Sequence, residues 1–525
     1  MAPRIIELCK YCGVPAIEKS RKAFGKEEDG NFLLQLHCGH AMVTKVKRSK
    51  YDDIRFENGK SPFPFQKEGI RFIEDTDFRC ILGDEMGLGK TIQYLCALLL
   101  HEEKLPALLV CKAGLKRQLE LELYNVTGHL PQVIESSNQK IFKFPISIVA
   151  YDTLARMKAP YEKFHFIKTI VLDECQYIKN EDAKRTNAVR LLVQKVGIDN
   201  VIGVSGTPIK NKADEFFPIL NMIAPMKFPT KAYMMNRYFE HWKDNQGNYH
   251  IIRAYQSFYD ALDGIMIRRT REEVAPELPK INRMFFNSEM ENKELRKSYA
   301  EVQKEFERFM EDQETNPQPG FSTSLLGFFA RMRRITGFSK IQPVTEFCTD
   351  FLMSTERKLV VFGHHKETLE SLKEVLDTWC IDGGWADCAQ LKSSMDADER
   401  QRQIERFKDD KGCRILIAST LASGEGLNLQ FCSDAIMMER QWNPANEEQA
   451  ETRFTRFGST AEQVNVTYMI SAGTIDEWLT ELVEKKRALF DKLINRNEDA
   501  VWDEASLMKE LAEIIFLKGG KRWTY

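Results

Sequence analysis

The sequence predicts an α/β protein made of two parallel-sheet lobes in tandem, with helical insertions and a small metal-binding module at the N-terminus. Short β-rich apolar runs alternate with helix-like stretches from about residue 60 to 225, and a second series of the same kind runs from about 340 to 470. Such alternation is the signature of parallel sheets with helices on their faces. The 525 residues hold about three domains at roughly 100–200 residues each. Three of the 12 cysteines gather at positions 9, 12 and 38, while the others are scattered, mostly through apolar stretches. That distribution suits a reducing compartment and one metal site.

Composition narrows the function classes. Apolar residues make up 43% and charged residues 29%, an ordinary globular balance. A net charge of -2 excludes a globally basic nucleic-acid binder, but residues 1–50 hold ten Lys/Arg against five Asp/Glu, so a local basic track remains open. No apolar run approaches the ~18 residues of a membrane helix. The start, MAPRIIELCKYC, lacks the apolar stretch of a signal peptide. An intracellular location is expected, cytoplasmic or nucleoid-associated (nuclear in a eukaryote), with no membrane partner.

In chain order, residues 1–57 read as the metal module. Cys9-Lys-Tyr-Cys12 can place two thiolates on one ion from a tight turn, and Cys38-Gly-His40 can supply the other two ligands of a tetrahedron. His37 is the alternative fourth ligand, and two unrelated loops with buried thiols are the plainer alternative to the whole site. Four protein ligands leave no open position, so structural Zn2+ is expected. Lys45, Lys47, Arg48 and Lys50 close the module with positive charge, suited to docking on DNA or a protein partner.

A Pro/Gly joint, NGKSPFPF, opens the first lobe at 58–225. Its strands are expected at Cys80–Leu82, Ala107–Cys111, Ile146–Ala150, Thr169–Leu172 and Val201–Val204. Residues 226–340 read as a mainly helical insertion, in which Leu295, Tyr299, Val302, Phe306 and Phe309 form one apolar stripe ended by Asn316-Pro-Gln-Pro-Gly320. The second lobe, 341–472, has strands at Leu359–Phe362, Ile415–Ala418, Ala435–Met438 and Val464–Ile470. A helical extension, 473–525, starts with an amphipathic helix (Ile475, Trp478, Leu479, Leu482, Val483) expected to pack back onto a lobe.

The chemistry concentrates at a Gly-rich turn between a strand and a helix, Asp84-Glu-Met-Gly-Leu-Gly-Lys-Thr91. Gly87, Leu88 and Gly89 can turn backbone N–H groups onto phosphate oxygens, helped by the helix N-terminus. Lys90 can reach the β/γ-phosphates and Thr91 can ligate Mg2+. The generic pattern G-x-x-x-x-G-K-[ST] fails at its first position, where Asp84 stands. Asp173 and Glu174 follow the apolar run Thr169–Leu172, at the carboxyl end of a strand where ligands bind in parallel sheets. Asp173 suits Mg2+, and Glu174 suits orienting or deprotonating the attacking water.

From about 60 to 495 the ordered motifs resemble the Swi/Snf-type ATP-dependent DNA translocases of helicase superfamily two. The strand-annealing, fork-remodelling subfamily is nearest, judged by Val360-Val-Phe-Gly-His-His-Lys366. Phe63-Pro-Phe-Gln66-Lys-Glu-Gly69 is similar to the adenine-reading segment, which makes Gln66 the base contact. Asp84–Thr91 matches the family's phosphate loop, Asp84 included. Asp173-Glu-Cys-Gln176 stands at the Asp-Glu-x-His box, and Val204-Ser-Gly-Thr-Pro-Ile-Lys-Asn211 resembles the lobe-coupling motif. Ile267-Arg-Arg-Thr-Arg271 resembles the basic exit from lobe one, and Gly424-Glu-Gly426-Leu-Asn428 the motif that joins ATP to DNA. Trp442-Asn-Pro444 and Gln449-Ala-Glu-Thr-Arg453-Phe-Thr-Arg456-Phe-Gly458 resemble the last motif, with Arg453 and Arg456 as arginine fingers. Departures are Gln176 for the usual His, Leu421 for a frequent Arg, Thr455 for a common His and Ser459 for a common Gln.

The resemblance implies RecA-like lobes that bind ATP and Mg2+ between them through Gln66, Gly87–Thr91, Gly426 and Gln449, with Lys90, Asp173, Glu174, Arg453 and Arg456 as the catalytic set. For contacts to the DNA backbone, Lys112, Thr207, Lys210 and Trp442 are the leading candidates, followed by Arg268, Arg269, Arg271, Arg331, Arg333, Arg334, His364 and His365. Nothing reads base edges, so binding should be sequence-independent. The implied function is a DNA-stimulated ATPase that translocates on duplex, forked or branched DNA, remodelling it or displacing bound proteins in replication, recombination or repair. The alternatives are a strand-separating helicase and a zinc-containing DNA-binding scaffold whose ATP site is vestigial.

Overall fold

The computed structural model describes residues 50–494 apart from 58, 207–212, 244–246, 248, 316–320, 393, 422–426 and 460, together with four strands between residues 5 and 45. These four, β1 (Ile5–Leu8), β2 (Pro15–Ala23), β3 (Asn31–Leu36) and β4 (Ala41–Lys45), form an antiparallel sheet in chain order. The expected zinc ligands Cys9, Cys12, Cys38 and His40, and the alternative His37, lie outside the described residues.

The first lobe is a seven-stranded sheet in which every neighbouring pair is parallel. Its strands are β5 (Arg79–Leu82), β6 (Ala107–Cys111), β7 (Gln132–Ile134), β8 (Ile146–Ala150), β9 (Thr169–Asp173) and β10 (Asn200–Val204), with β13 (Met266–Ile267) on one edge. Their order is β13-β5-β10-β9-β6-β8-β7. β6 and β8 are buried at every position, which is why they read as unbroken apolar runs and not as alternating ones. On one face Ile70, Leu95 and Leu119 from three helices meet Cys80, Leu82 and Leu109; on the other Val189, Leu192 and Leu220 meet Ile81, Val149 and Leu172.

The segment 226–340, expected as a mainly helical insertion, carries strands as well as helices. A hairpin of β11 (Phe239–Lys243) and β12 (Tyr249–Ala254) lies within it, and Met234, Phe239, Ile251 and Phe258 pack into the lobe-one core. β13 joins the lobe-one sheet, and β14 (Lys280–Ser288) joins the lobe-two sheet beside β19 (Gln463–Ser471). Helices span Lys231–Tyr238, Gln256–Leu262, Arg271–Val274, Lys293–Thr315 and Phe321–Ser339, and Val302, Phe306 and Phe329 of the last two pack against Ile475, Leu479 and Val483 of the helix Ile475–Ile494.

The second lobe adds β15 (Leu359–Gly363), β16 (Ala389–Leu391), β17 (Ile415–Ser419) and β18 (Asp434–Met437). Its six parallel strands are ordered β14-β19-β18-β15-β17-β16. No helix among the described residues is long and apolar enough to cross a membrane.

Candidate active site

The phosphate loop leaves β5 at Leu82 and enters the helix Lys90–Leu100. Gly89 takes a left-handed φ of 69° at the helix start, and a Cβ there would sit 2.4 Å from Gln66 Nε2. Gly87 has φ 90° and lies under Thr455 of the second lobe. No side chain caps this helix start, so its orphan N–H groups remain available to an anion. Lys90 Nζ folds back on the loop, donating to Asp84 O at 2.7 Å and Glu85 O at 3.1 Å. Burial lowers its pKa, with the charges of Asp84 and Glu174 opposing the shift.

Asp84 is fully buried. It accepts from Arg269 Nε at 3.0 Å and Nη2 at 2.6 Å, and from Gln93 Nε2 at 2.9 Å. Gln66, also buried, donates from Nε2 to Leu88 O at 3.1 Å and accepts at Oε1 from the Phe63 N–H at 3.0 Å. In this arrangement Gln66 braces the phosphate loop. Thr91 stands half-buried in the first turn of the helix.

β9 ends at Asp173, whose carbonyl accepts from Tyr151 Oη at 2.9 Å. Burial, and then the charge of Glu174, pushes the Asp173 carboxyl up to about 7. Glu174 holds φ 52°, a strained value for a side chain of this size and of the kind that clusters at functional sites. Its Oε2 accepts from Gln176 Nε2 at 2.6 Å, and its Oε1 faces Gln449 Nε2 of the second lobe at 3.4 Å. The amide at 176 therefore steadies the carboxylate from its own lobe, and Gln449 meets it from across the cleft.

The second wall is the helix Pro444–Glu451 and the segment after it. Asn443 caps the helix through Ala445 N–H at 2.9 Å. Its back carries two fully buried acids. Glu447 receives Arg440 Nε and Nη2, each at 2.9 Å, and Arg487 Nη2 at 3.3 Å; Glu451 receives Arg283 Nε at 2.8 Å and Nη2 at 2.6 Å. Three arginines from three elements thus hold the helix that presents Gln449 to lobe one. Arg453 follows it, 5% exposed, and its Nε has no hydrogen-bond partner among the described residues. Burial, then the charge of Arg456, lowers its pKa to about 9, with Glu174 opposing. Arg456 is half-buried and donates from Nη1 to Asn428 Oδ1. Across the cleft, Phe457 stacks on Phe63 with ring centroids 4.3 Å apart.

Some cations proposed for DNA contact turn inward instead. Arg269 is sequestered by Asp84, Arg268 donates to Gly83 O at 2.6 Å and Gly206 O at 3.1 Å, and Arg271 engages Glu85. Arg333 is buried, donating to Arg440 O at 2.6 Å with its guanidinium 5.2 Å from the Trp442 ring. Their guanidinium groups find carbonyls and carboxylates within the fold, so they are withdrawn from a nucleic-acid surface. Arg331 and Arg334 pair at the surface with Glu305 and Glu367. Trp442 is half-buried against Phe329, and Lys112 lies 4.7 Å over the Tyr177 ring. His364 and His365 are half-buried after β15, where both backbone N–H groups donate to Glu439. Thr207, Lys210 and Gly426 lie outside the described residues.

Sequence reasoning passed over Glu122, whose charge acts on Asp173, Arg453 and Arg456. In the sequence it is one acid of an amphipathic helix, with no mark of the cleft it faces. The site suits a magnesium nucleotide on three counts: a guanidinium nitrogen at Arg453 with no hydrogen-bond partner among the described residues, a helix start that no side chain caps, and a half-buried acid at Asp173 whose carboxyl is pushed up by burial and by the charge of Glu174 beside it.

Residues 65–337 match the SNF2-related domain and residues 339–458 the helicase conserved C-terminal domain. The chain is 26% identical over 480 residues to the Bos taurus protein named DNA annealing helicase and endonuclease ZRANB3, covering 88% of this chain and 43% of that protein. It is 27% identical over 445 residues to the Xenopus tropicalis SWI/SNF-related matrix-associated actin-dependent regulator of chromatin subfamily A-like protein 1, covering 82% and 44%. It therefore spans less than half the length of these curated relatives. The solved Sulfolobus solfataricus SWI2/SNF2 ATPase core in complex with dsDNA is also similar, at 21% identity and a TM-score of 0.40, over 86% of this chain and 96% of that one. With the first of these domains spanning more than half of its length, the chain belongs to the SNF2-related family of helicase-like, ATP-hydrolysing enzymes.

Proposed function

We propose that the chain is a DNA-stimulated ATPase that moves along duplex or branched DNA, remodelling it or displacing bound proteins. One observation carries the reading: both lobes wall a single cleft, with Gln449 reaching Glu174 from across it and Arg453 buried in the same wall as Gln449. Magnesium ATP, when bound, supplies a phosphoryl group for transfer to water. The helix start behind Gly89 would hold phosphate oxygens, and Lys90 would exchange its two carbonyl partners for them. Thr91 and Asp173 would hold the ion. Glu174 would orient the attacking water and take its proton, once its Oε1 is released by Gln449. Arg453 and Arg456 would offset negative charge from the opposite wall, a contribution worth ~10³–10⁵ in rate for an arginine finger.

Because acids and arginines sit on different lobes, nucleotide favours the closed cleft and turnover lets it reopen. A grip on the DNA backbone by each lobe turns that cycle into steps. Lys112, Thr207, Lys210 and Trp442 are the proposed grips, so binding should weaken steeply with salt. A relative named as a DNA annealing helicase supports DNA as the substrate. We place Zn2+ at Cys9, Cys12, Cys38 and His40. About one zinc per chain is expected in the purified protein.

The test is ATP turnover measured with single-stranded, duplex, forked and four-way DNA. Stimulation by duplex or branched DNA is expected, and Lys90→Ala and Glu174→Gln should abolish turnover. Turnover that survives both substitutions removes this reading. Displacement of a triplex strand without unwinding of a tailed duplex is expected, and robust unwinding would make the chain a strand-separating helicase.

A further inference from the structure

We propose that Arg271 is a positioning residue that latches the phosphate loop of lobe one to the arginine-bearing segment of lobe two. The proposal rests on the ATPase reading above. Arg271 opens a short helix after β13, and its backbone N–H and Nε bind the two oxygens of Glu85 at 2.8 and 2.7 Å. Glu85 is the second residue of the phosphate loop, and its own N–H donates to Arg269 O at 2.9 Å. The Arg271 fork then continues across the cleft, where Nη1 donates to Thr455 Oγ1. Thr455 is fully buried between Arg453 and Arg456 in sequence.

Neighbouring contacts follow the same line. Thr452 Oγ1 lies 3.9 Å from Met86 Sδ, and a Cβ on Gly87 would stand 3.4 Å from Thr455 O. Met86 and Gly87 therefore face the segment 452–455, Glu85 is linked to it through Arg271, and the Arg271–Thr455 bond is the charge-assisted hydrogen bond that crosses to it.

Lobe two anchors the segment from behind, through the Leu429 N–H to Arg453 O at 3.2 Å and the buried Phe454, and Arg271 adds a hold from lobe one. Arg453 and Arg456 repel one another, and the charge of Arg456 adds to burial in lowering the pKa of Arg453. A tether that added a bare cation would worsen that repulsion, but Glu85 neutralises Arg271. A guanidinium suits the task because its fixed fork binds the carboxylate with one part and the hydroxyl with another, whereas a lysine ammonium is a single point. Misplacing reacting groups by about 1 Å can cost roughly a hundredfold in rate. Losing the latch should therefore lower kcat and leave the affinity of lobe one for nucleotide largely intact.

The experiment uses the full chain with saturating DNA. Thr455→Val keeps the shape of the buried side chain and removes the acceptor; it should lower kcat roughly ten- to a hundredfold, with KM for ATP within about threefold. Thr455→Ser keeps the hydroxyl and should stay within about threefold of the parent kcat. Arg271→Lys should resemble Thr455→Val, and the double variant should be no worse than the poorer single one, because both break one interaction. Should Thr455→Val fail to fold, Arg271→Lys supplies the same comparison. A kcat for Thr455→Val within about threefold of the parent, or losses that multiply in the double variant, overturns the latch. A parent protein without ATP turnover overturns the ATPase reading itself, so the two failures are distinct.

Discussion

Restoring the generic glycine at position 84 should harm this protein. Asp84→Gly turns the loop into G-x-x-x-x-G-K-[ST], yet it removes a carboxylate that binds the Arg269 guanidinium through two nitrogens and also holds Gln93. Arg269 would remain buried with its charge uncompensated, which costs about 3–5 kcal/mol. Among the described residues the other acid in an ion pair with it is Glu68 at 3.5 Å, whose side chain is 66% exposed and which could repay little. At about 2–4 °C per kcal/mol for a unit of this size, the lobe-one melting transition should fall by roughly 6–20 °C. Calorimetry on the full chain reads that transition, and ATP turnover reads the loop. Replacing both partners, Asp84→Ala with Arg269→Met, should recover part of the loss, because no charge is then left buried. A melting point for Asp84→Gly within about 2 °C of the parent would show that the pair is not what holds the loop.

The same physics applies on the other wall and at low pH. Glu447→Ala strips the carboxylate from the buried Arg440 and Arg487, leaving Glu484 as their shared partner, so lobe two should lose about 3 kcal/mol. Urea denaturation measures this, and a loss under about 1 kcal/mol would contradict it. Burial, and then the charge of Arg333, lowers His364 to about 4. The folded state therefore resists a proton that the unfolded chain accepts, and stability present above about pH 6.5 is lost as pH falls toward 4, by roughly 1–2 kcal/mol after allowing for solvent. Glu439 is held down at about 2 by its hydrogen bond from His365, against the opposing effect of burial. Its contribution is present above the ordinary carboxylate range and is lost as pH falls through about 2. Denaturation of the parent and of His364→Gln across pH 4–7 separates the two: the substitution should flatten the slope above pH 4.5, and an unchanged slope would remove His364 as its cause.

Much of the architecture was legible because its signals are local. β6, β8, β9 and β15 lie inside sheets covered on both faces, so their burial appears as unbroken apolar runs that no helix of this length would need. Lys90, Thr91, Asp173 and Glu174 were legible for a similar reason: a strand, a turn and a helix start place them within a few residues of one another or of a strand end. β14 was not legible, since Lys280-Ile-Asn-Arg-Met-Phe-Phe-Asn-Ser288 is an edge strand exposed along much of its length and carries no clean period. β13 and β16 are too short to show one.

The amino-acid sequence by itself determined the two sheets, the phosphate loop and its acids, because each follows from burial and backbone geometry over a handful of neighbours. Tertiary structure alone decided which charges meet. Asp84 and Arg269 are 185 residues apart, and Glu174 and Gln449 are 275 apart. An arginine read along the chain is a surface cation until a buried carboxylate or carbonyl is brought to it. Only the folded chain supplies those partners, so the inward turn of Arg268, Arg269, Arg271 and Arg333 and the contact between the two walls belong to the fold.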